Sequence, residues 1–387
     1  MRCIAFALLA LVACGGGGDD DVDPPGEPGH FTITGTVHYE DRPQTNTGPL
    51  GDLTEKPSRG ISVSLIADAN KVVIAETVSD DDGNYSLDFD AVSNARVHVL
   101  VATTSTEAAR PISVRHAQTQ VIHGFGAPTF LLQTSTQDVL VTEESGIAEA
   151  FNIFDVLADV MDAIPVLFPG RTASPLEAFW HKGNPDGTFY FNNGLFLLGE
   201  ASDSDGYDDT VILHESGHWI EEVIGRSDSP GGDHNGNPVN PTLAWSEGFS
   251  TYFSMAITDT PIYSDSNAGG GFAFNADTSN TKANLNGGLA QNVSEDMIAE
   301  ILWDLSDAPA TDDDQVAGSH AMVLAVEGFM MFASLRDVGK AGVDLVDYLD
   351  GWFINQGLSS CPGVRELLDV KHTFPYDYGG SAGTCPQ

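Results

Sequence analysis

From Phe31 to about Thr104 apolar and polar positions alternate with a period of two. The clearest runs are Phe31-Thr32-Ile33-Thr34-Gly35-Thr36-Val37, Ile61-Ser62-Val63-Ser64-Leu65 and Arg96-Val97-His98-Val99-Leu100. Alternation places every second side chain on one face, which predicts half-buried strands. Asp80-Asp81-Asp82-Gly83-Asn84 is a turn signal ahead of Tyr85-Ser86-Leu87. Residues 31–105 therefore form one all-β unit, and 106–144 continue β-like as a connector that could also hold a propeptide. At Ser145 the period lengthens: Ile147, Ala150, Phe151, Phe154, Leu157, Ala158, Met161 and Ile164 recur at helical spacing, and Pro165 ends the run. Thr188 to Leu198 reads as a hairpin turning at Asn193-Gly194. Further helices are predicted around 209–224, 243–257, 294–305, 319–335 and 342–353. The chain is thus multidomain, with an all-β unit followed by an α+β unit over 145–387 that is mainly helical.

The N-terminus departs from both patterns. Arg2, an apolar run from Ile4 to Ala13 and small residues beyond it describe a secretory leader, too short to cross a bilayer as a helix. Leu11-Val12-Ala13-Cys14 resembles a bacterial lipobox, so residues 1–13 are expected to be removed and Cys14 lipidated, with an ordinary secretory signal and an incidental Cys as the alternative. Four glycines, Asp19 to Asp21 and a Pro-rich stretch then make 14–30 a flexible tether. Gly15 follows Cys14 where an Asp would favour inner-membrane retention, which points to the outer membrane or cell surface. In such a compartment Cys361 and Cys385 are an even pair available for a disulfide, with two free thiols as the alternative.

Charge narrows the function classes. Lys and Arg number 16 against 56 Asp and Glu, a formal charge of −40 that becomes −41 when Arg2 leaves with the leader. A field of that sign repels phosphate backbones and anionic lipid, so nucleic acid is excluded as a partner and the membrane is reached through the lipid anchor alone. Nothing in the composition implies disorder, since 41% of residues are hydrophobic. A monomer is expected.

The chemistry sits in His214-Glu215-Ser216-Gly217-His218, an H-E-x-x-H motif within the predicted helix 209–224. Residues four apart share a helical face, so His214 and His218 can reach one metal ion while Glu215 projects beside it as a general base. A second predicted helix carries Ala244-Trp245-Ser246-Glu247-Gly248-Phe249, with Glu247 lying 29 residues beyond His218 (247 − 218). The loop between them contains Pro230, Gly231, Gly232, Gly236 and Pro238, so it can fold back and bring the helices together.

Together these motifs resemble the gluzincin zinc metallopeptidases, most closely the thermolysin- and fungalysin-like branch, over roughly residues 145–340. The resemblance implies one zinc ion held by His214, His218 and Glu247, with protein or peptide as substrate. It also implies an oxyanion donor, for which Gly318-Ser319-His320-Ala321 offers His320; Tyr190 and Tyr252 are rivals, with Tyr252 the better candidate for the core. One departure stands out. Thr251 occupies the position where such enzymes place an Asp that orients a zinc histidine, which leaves Asp304, Glu300 or a backbone carbonyl to take over. In the N-terminal unit, Gly35-Thr36-Val37, Gly60-Ile61-Ser62-Val63 and Thr77 through Asp82-Gly83-Asn84-Tyr85 resemble the carboxypeptidase regulatory-like family, a transthyretin-like β-sandwich that would serve as a spacer or binding module. Asp203-Ser204-Asp205-Gly206-Tyr207-Asp208 sets carboxylates around a glycine, a candidate calcium loop through Asp203, Asp205 and Asp208, with a solvated turn as the alternative. The rival to an endopeptidase is an inactive or non-peptidase surface lipoprotein, an adhesin or glycan binder on the same fold.

Overall fold

The computed structural model describes residues 26–288, 291–307, 316–330, 342–378 and 385. The leader, the lipobox with Cys14 and residues 331–335 of the predicted helix 319–335 lie outside the described residues.

The first half is built of short strands: β1 (Pro28–Asp41), β2 (Thr54–Pro57), β3 (Ser62–Ala67), β4 (Val73–Val78), β5 (Asn84–Val92) and β6 (Arg96–Ala102). They continue as β7 (Ile112–Arg115), β8 (Gly124–Gly126), β9 (Phe130–Leu131), β10 (Ser135–Thr136) and β11 (Val139–Val141). The period-two pattern reappears as burial: Tyr85, Leu87 and Phe89 of β5 and Val97, Val99 and Val101 of β6 face inward while their neighbours face out. One sheet forms around β1, which pairs antiparallel with β5 and β2 and parallel with β10 and β11. The other has the order β4-β3-β6-β8, with β9 also on β6. Their buried faces share one core of Ile33, Val37, Val63, Leu65, Leu87 and Val99.

The segment expected as a connector, 106–144, is divided between two sheets. Residues 124–141 supply β8 to β11 to the pair just described, whereas β7 leaves it and pairs in parallel with β12 (Leu176–Phe179). A two- or three-residue strand has too little periodicity to announce itself in sequence, and its partners lie far away along the chain.

The second half opens with α1 (Ala148–Leu167), which runs through Pro165 and ends two residues past the predicted stop, with Phe168 as its C-cap. After β12 come β13 (Phe189–Phe191) and β14 (Gly194–Phe196), giving a sheet of order β13-β14-β12-β7 in which β13 is the free edge. The hairpin turns on Asn192 and Asn193, both at positive φ, one residue earlier than predicted. Asn tolerates the left-handed region. Gly194 has a packing role instead: a Cβ there would lie 2.8 Å from the Phe179 ring. Beyond β15 (Gly199–Glu200) and β16 (Asp203–Ser204) come α2 (Asp209–Val223), α3 (Pro241–Thr258), β17 (Ile262–Asp265) and β18 (Phe272–Asn275). The chain continues through α4 (Glu295–Asp304), α5 (His320–Ala325), α6 (Glu327–Met330), α7 (Leu345–Gln356) and α8 (Cys361–Arg365). Cys361 is disulfide-bonded to Cys385, tying the C-terminal tail to the body.

Two glycines let the central helices approach. A Cβ on Gly217 of α2 would meet Cα of Ser250 at 2.6 Å, and one on Gly248 of α3 would meet Ile298 Cβ at 2.4 Å. With no side chain at these points, α3 lies close against both α2 and α4. The ends are fixed as well: Asn240 caps α3 by accepting from Thr242 N–H, with Pro241 in the first turn. Gln44, from the loop between β1 and β2, accepts from Thr210 N–H at the start of α2. Further ties between the halves run from Tyr39 Oη to Asn152 and Asp155, from Arg59 to Asp155 and Asp159, and from Tyr207 Oη to the Glu40 carbonyl. No helix among the described residues is long and apolar enough to cross a membrane.

Candidate metal centre

The close contact at Gly217 sets α2 and α3 side by side and aims three side chains at one point. His214 and His218, one turn apart on α2, bring Nε2 to 3.3 and 3.2 Å from Oε2 of Glu247 on α3. Their ligand atoms all lie within 4.8 Å of one another. His214 and Glu247 are buried, and His218 is nearly so.

The outer ring nitrogens are occupied by this chain's own oxygens. His214 Nδ1 is 3.0 Å from Thr251 Oγ1, so the residue expected to leave a gap fills it with a hydroxyl. His218 Nδ1 meets Ser250 Oγ at 3.0 Å, Ser246 Oγ at 3.2 Å and the buried carboxylate of Glu221 at 3.5 Å. The substitutes expected for the missing Asp are engaged elsewhere. Glu300 accepts from Thr281, and Asp304 pairs with Lys371 at 2.9 Å.

Electrostatically the site is a carboxylate held in place by imidazoles. Burial alone would push Glu247 up, but hydrogen bonds from His214 and His218 outweigh it and hold its carboxyl well below the usual range. Burial opposes charge on His218 too, yet Glu221 and Glu247 raise it well above the ordinary imidazole value. Two Nε2 lone pairs and a carboxylate oxygen converging on one point, with the Nδ1 atoms already satisfied, match the donor set zinc takes in three-ligand sites. The residues fit that ion.

The centre opens onto a cleft of about 920 Å³ lined by Glu215, the β13 residues Phe189, Tyr190 and Phe191, and the loop around Pro230 to His234. Phe191 is 66% exposed at its mouth. Trp219 of α2 donates from Nε1 to Asn193 Oδ1, fixing the hairpin against the helix that carries His214 and His218.

His320 is not brought to this cleft. It opens α5, packs on Trp303, and has Nδ1 2.9 Å from Tyr252 Oη and Nε2 3.5 Å from Asp259. Tyr252 follows Glu247 by five residues and so leaves the opposite side of α3, taking His320 with it; it is fully buried core. Tyr190 lines the cleft but gives its hydroxyl to Glu222. The acidic loop is rearranged in the same way. Asp203 and Asp205 gather with Asp265, all within 4.8 Å, while Asp208 turns away to accept from Ser266 and Gln44.

Three residues at the site escape a reading by periodicity. Tyr263 on β17 has its ring 5.8 Å from that of His214. His234, in the loop between α2 and α3, has Nε2 3.3 Å from Glu247 Oε2 and Nδ1 2.6 Å from Glu295 Oε2. Glu295 begins α4 and also accepts from Gly236 N–H. The surrounding Gly and Pro residues were legible only as a fold-back loop, and a single His among them carries no spacing signal.

Comparison with known proteins gives one family. The model of the Mycolysin C-terminal domain matches residues 169–367, which contain every metal-site residue named above. No curated protein matches. Among solved structures, a 9R-lipoxygenase from Cyanothece PCC8801 is 12% identical at TM-score 0.17, covering 36% of this chain and 24% of its own. The plantain pollen allergen Pla l 1 is 15% identical at TM-score 0.17, covering 30% of this chain and 92% of its own. The chain thus spans about a quarter of the lipoxygenase, and at those scores neither likeness bears on fold or function.

Proposed function

Because this chain belongs to the Mycolysin C-terminal domain family, a domain found in thermolysin-like metallopeptidases, we propose that it is a zinc-dependent endopeptidase. The observation that carries the reading is the convergence of His214, His218 and Glu247 at the floor of a cleft that Glu215 also lines.

Zinc bound by those three residues would supply an electrophile for the scissile carbonyl and an acidified water. The rest falls to the chain itself. Glu215, which lines the same cleft, would accept a proton from the attacking water and return it to the leaving amine. Thr251, Ser250 and Glu221 keep the Nδ1 side of each imidazole engaged, which turns the Nε2 lone pairs inward. The free edge of β13 faces the cleft, so an extended peptide can add to it as a further strand. Its side chains would meet Phe189 and Phe191.

The test is Glu215→Gln. Metal analysis should still find one zinc per chain, while hydrolysis of a broad peptide library falls by about 10²- to 10⁴-fold. Wild-type protein without zinc, or equal cleavage by both proteins, would refute the reading.

A further inference from the structure

We propose that His234 is a fourth protein ligand of the metal in the resting enzyme, a role that rests on the zinc reading above. Three imidazoles crowd one carboxylate oxygen: Nε2 of His214, His218 and His234 lie 3.3, 3.2 and 3.3 Å from Glu247 Oε2. An oxygen of a carboxylate has about two lone pairs, so three ring N–H groups cannot all be satisfied there by hydrogen bonds. The distances have another meaning. Bonds of about 2.0–2.1 Å from a tetrahedral zinc place neighbouring ligand atoms about 3.3 Å apart; each nitrogen stands at that separation from the oxygen, while His234 still lies in a separate donor cluster from His214 and His218.

The orientation of His234 agrees. Its Nδ1 is held by Glu295 at 2.6 Å, the carboxylate–histidine arrangement that directs Nε2 toward a metal. The second oxygen of Glu295 accepts from Gly236 N–H at 2.7 Å, so one carboxylate anchors both the ring and the loop that carries it. His214 and His234 face each other nearly parallel, 10° apart with centroids separated by 6.5 Å.

His234 differs from the two helical histidines in its support. It lies on a loop with Gly231, Gly232 and Gly236 at positive φ, and the loop forms one wall of the cleft. Glu247 belongs to one cluster with His214 and His218 and to a second with His234 and Glu295. Drawing the loop inward merges the two around a single ion. Four protein donors leave no vacant position, so the loop must withdraw for a substrate to be polarised. The fourth ligand is thereby a latch carried on a hinge of glycines.

The experiment is zinc titration against a chromophoric chelator, with cobalt(II) absorption spectra, on wild-type protein, His234→Ala, Glu295→Gln and His214→Ala. Wild type should bind one ion. His234→Ala should weaken zinc by at least about tenfold and change the cobalt spectrum, and Glu295→Gln, which keeps the ring, should weaken it by about tenfold. Added imidazole should return the His234→Ala cobalt spectrum toward that of wild type. Unchanged affinity and spectrum in His234→Ala would overturn the proposal, as would two zinc ions per wild-type chain. Failure of wild type itself to bind zinc, or retention of zinc by His214→Ala, would instead strike the metallopeptidase reading.

Discussion

At the scale of single residues the site shows how a missing carboxylate is replaced. Thr251 cannot carry the negative charge that an Asp would place behind a zinc histidine, but its hydroxyl lies 3.0 Å from His214 Nδ1 and fixes the ring. Removing the oxygen while keeping the shape isolates that role. Thr251→Val should lower zinc affinity by about 10- to 100-fold and leave the fold intact, measured by chelator competition beside circular dichroism; an unchanged affinity would mean that packing alone orients His214. The candidate metal ligands His214 and His218, and Glu215 beside them, were legible because helical spacing converts sequence distance into a shared face; Glu247 on α3 was legible through its Glu-Gly pattern. Thr251 was legible only as a departure, since its compensation depends on an approach between α2 and α3 that no local pattern encodes. His320 misled for a related reason: its motif matched, while the side of α3 to which Tyr252 ties it cannot be read from a motif.

Among the elements, glycine sets the distance between helices. Gly248→Ala forces a methyl to within 2.4 Å of Ile298 Cβ and 2.6 Å of the Glu295 carbonyl, both on α4. Overpacking of that kind costs about 1–3 kcal/mol, so chemical denaturation should show a loss in that range. The variant should also lose zinc affinity, because Glu247 and Glu295 sit on the two helices pushed apart. A variant as stable as wild type would show that α4 yields freely. The edge strand β13 makes a kinetic prediction: Phe191→Ala should raise KM for extended peptides several-fold with little change in kcat, and a fall in kcat alone would remove β13 from substrate binding. α1 to α4 and α7 were readable to within a few residues from their 3.6-residue period, whereas the short α8 was not. The two- and three-residue strands β8 to β11 were not either. β8 to β11 exist because partners far along the chain accept them, and the hairpin turn moved to Asn192-Asn193 because Phe179 claims the space beside Gly194.

For the whole molecule, the formal charge of −40 overstates what the folded protein carries at neutral pH. Burial holds protons on several carboxyls: Asp205 is pushed up to about 8, and Asp208 to about 7. A carboxyl whose folded pKa is raised contributes stability below its unfolded value near 4 and loses it as pH climbs through the folded value. The melting temperature should therefore fall between about pH 4 and 8 by more in wild type than in Asp205→Asn. Parallel slopes in thermal melts across that window would refute the assignment. Repeating the melts with millimolar calcium tests the acidic loop directly, since a cation among Asp203, Asp205 and Asp265 would flatten the wild-type slope and leave Asp205→Asn unmoved. The carboxylates around Asp205 were visible in sequence; that Asp265 and not Asp208 completes the group was not, because β17 arrives some 60 residues later.

The route of the chain through β7 has a consequence for biosynthesis. β7 has no partner in its own sheet until Leu176–Phe179 has been made, and β1 receives its last partners only when Val139–Val141 has been made. A nascent chain emerging N-terminus first cannot finish one half before beginning the other. The β-rich half is consequently no cassette to be lifted out or grafted elsewhere: with β7 it takes away the outer strand of the sheet beside the candidate metal centre, and with Gln44 the cap of the helix that bears His214.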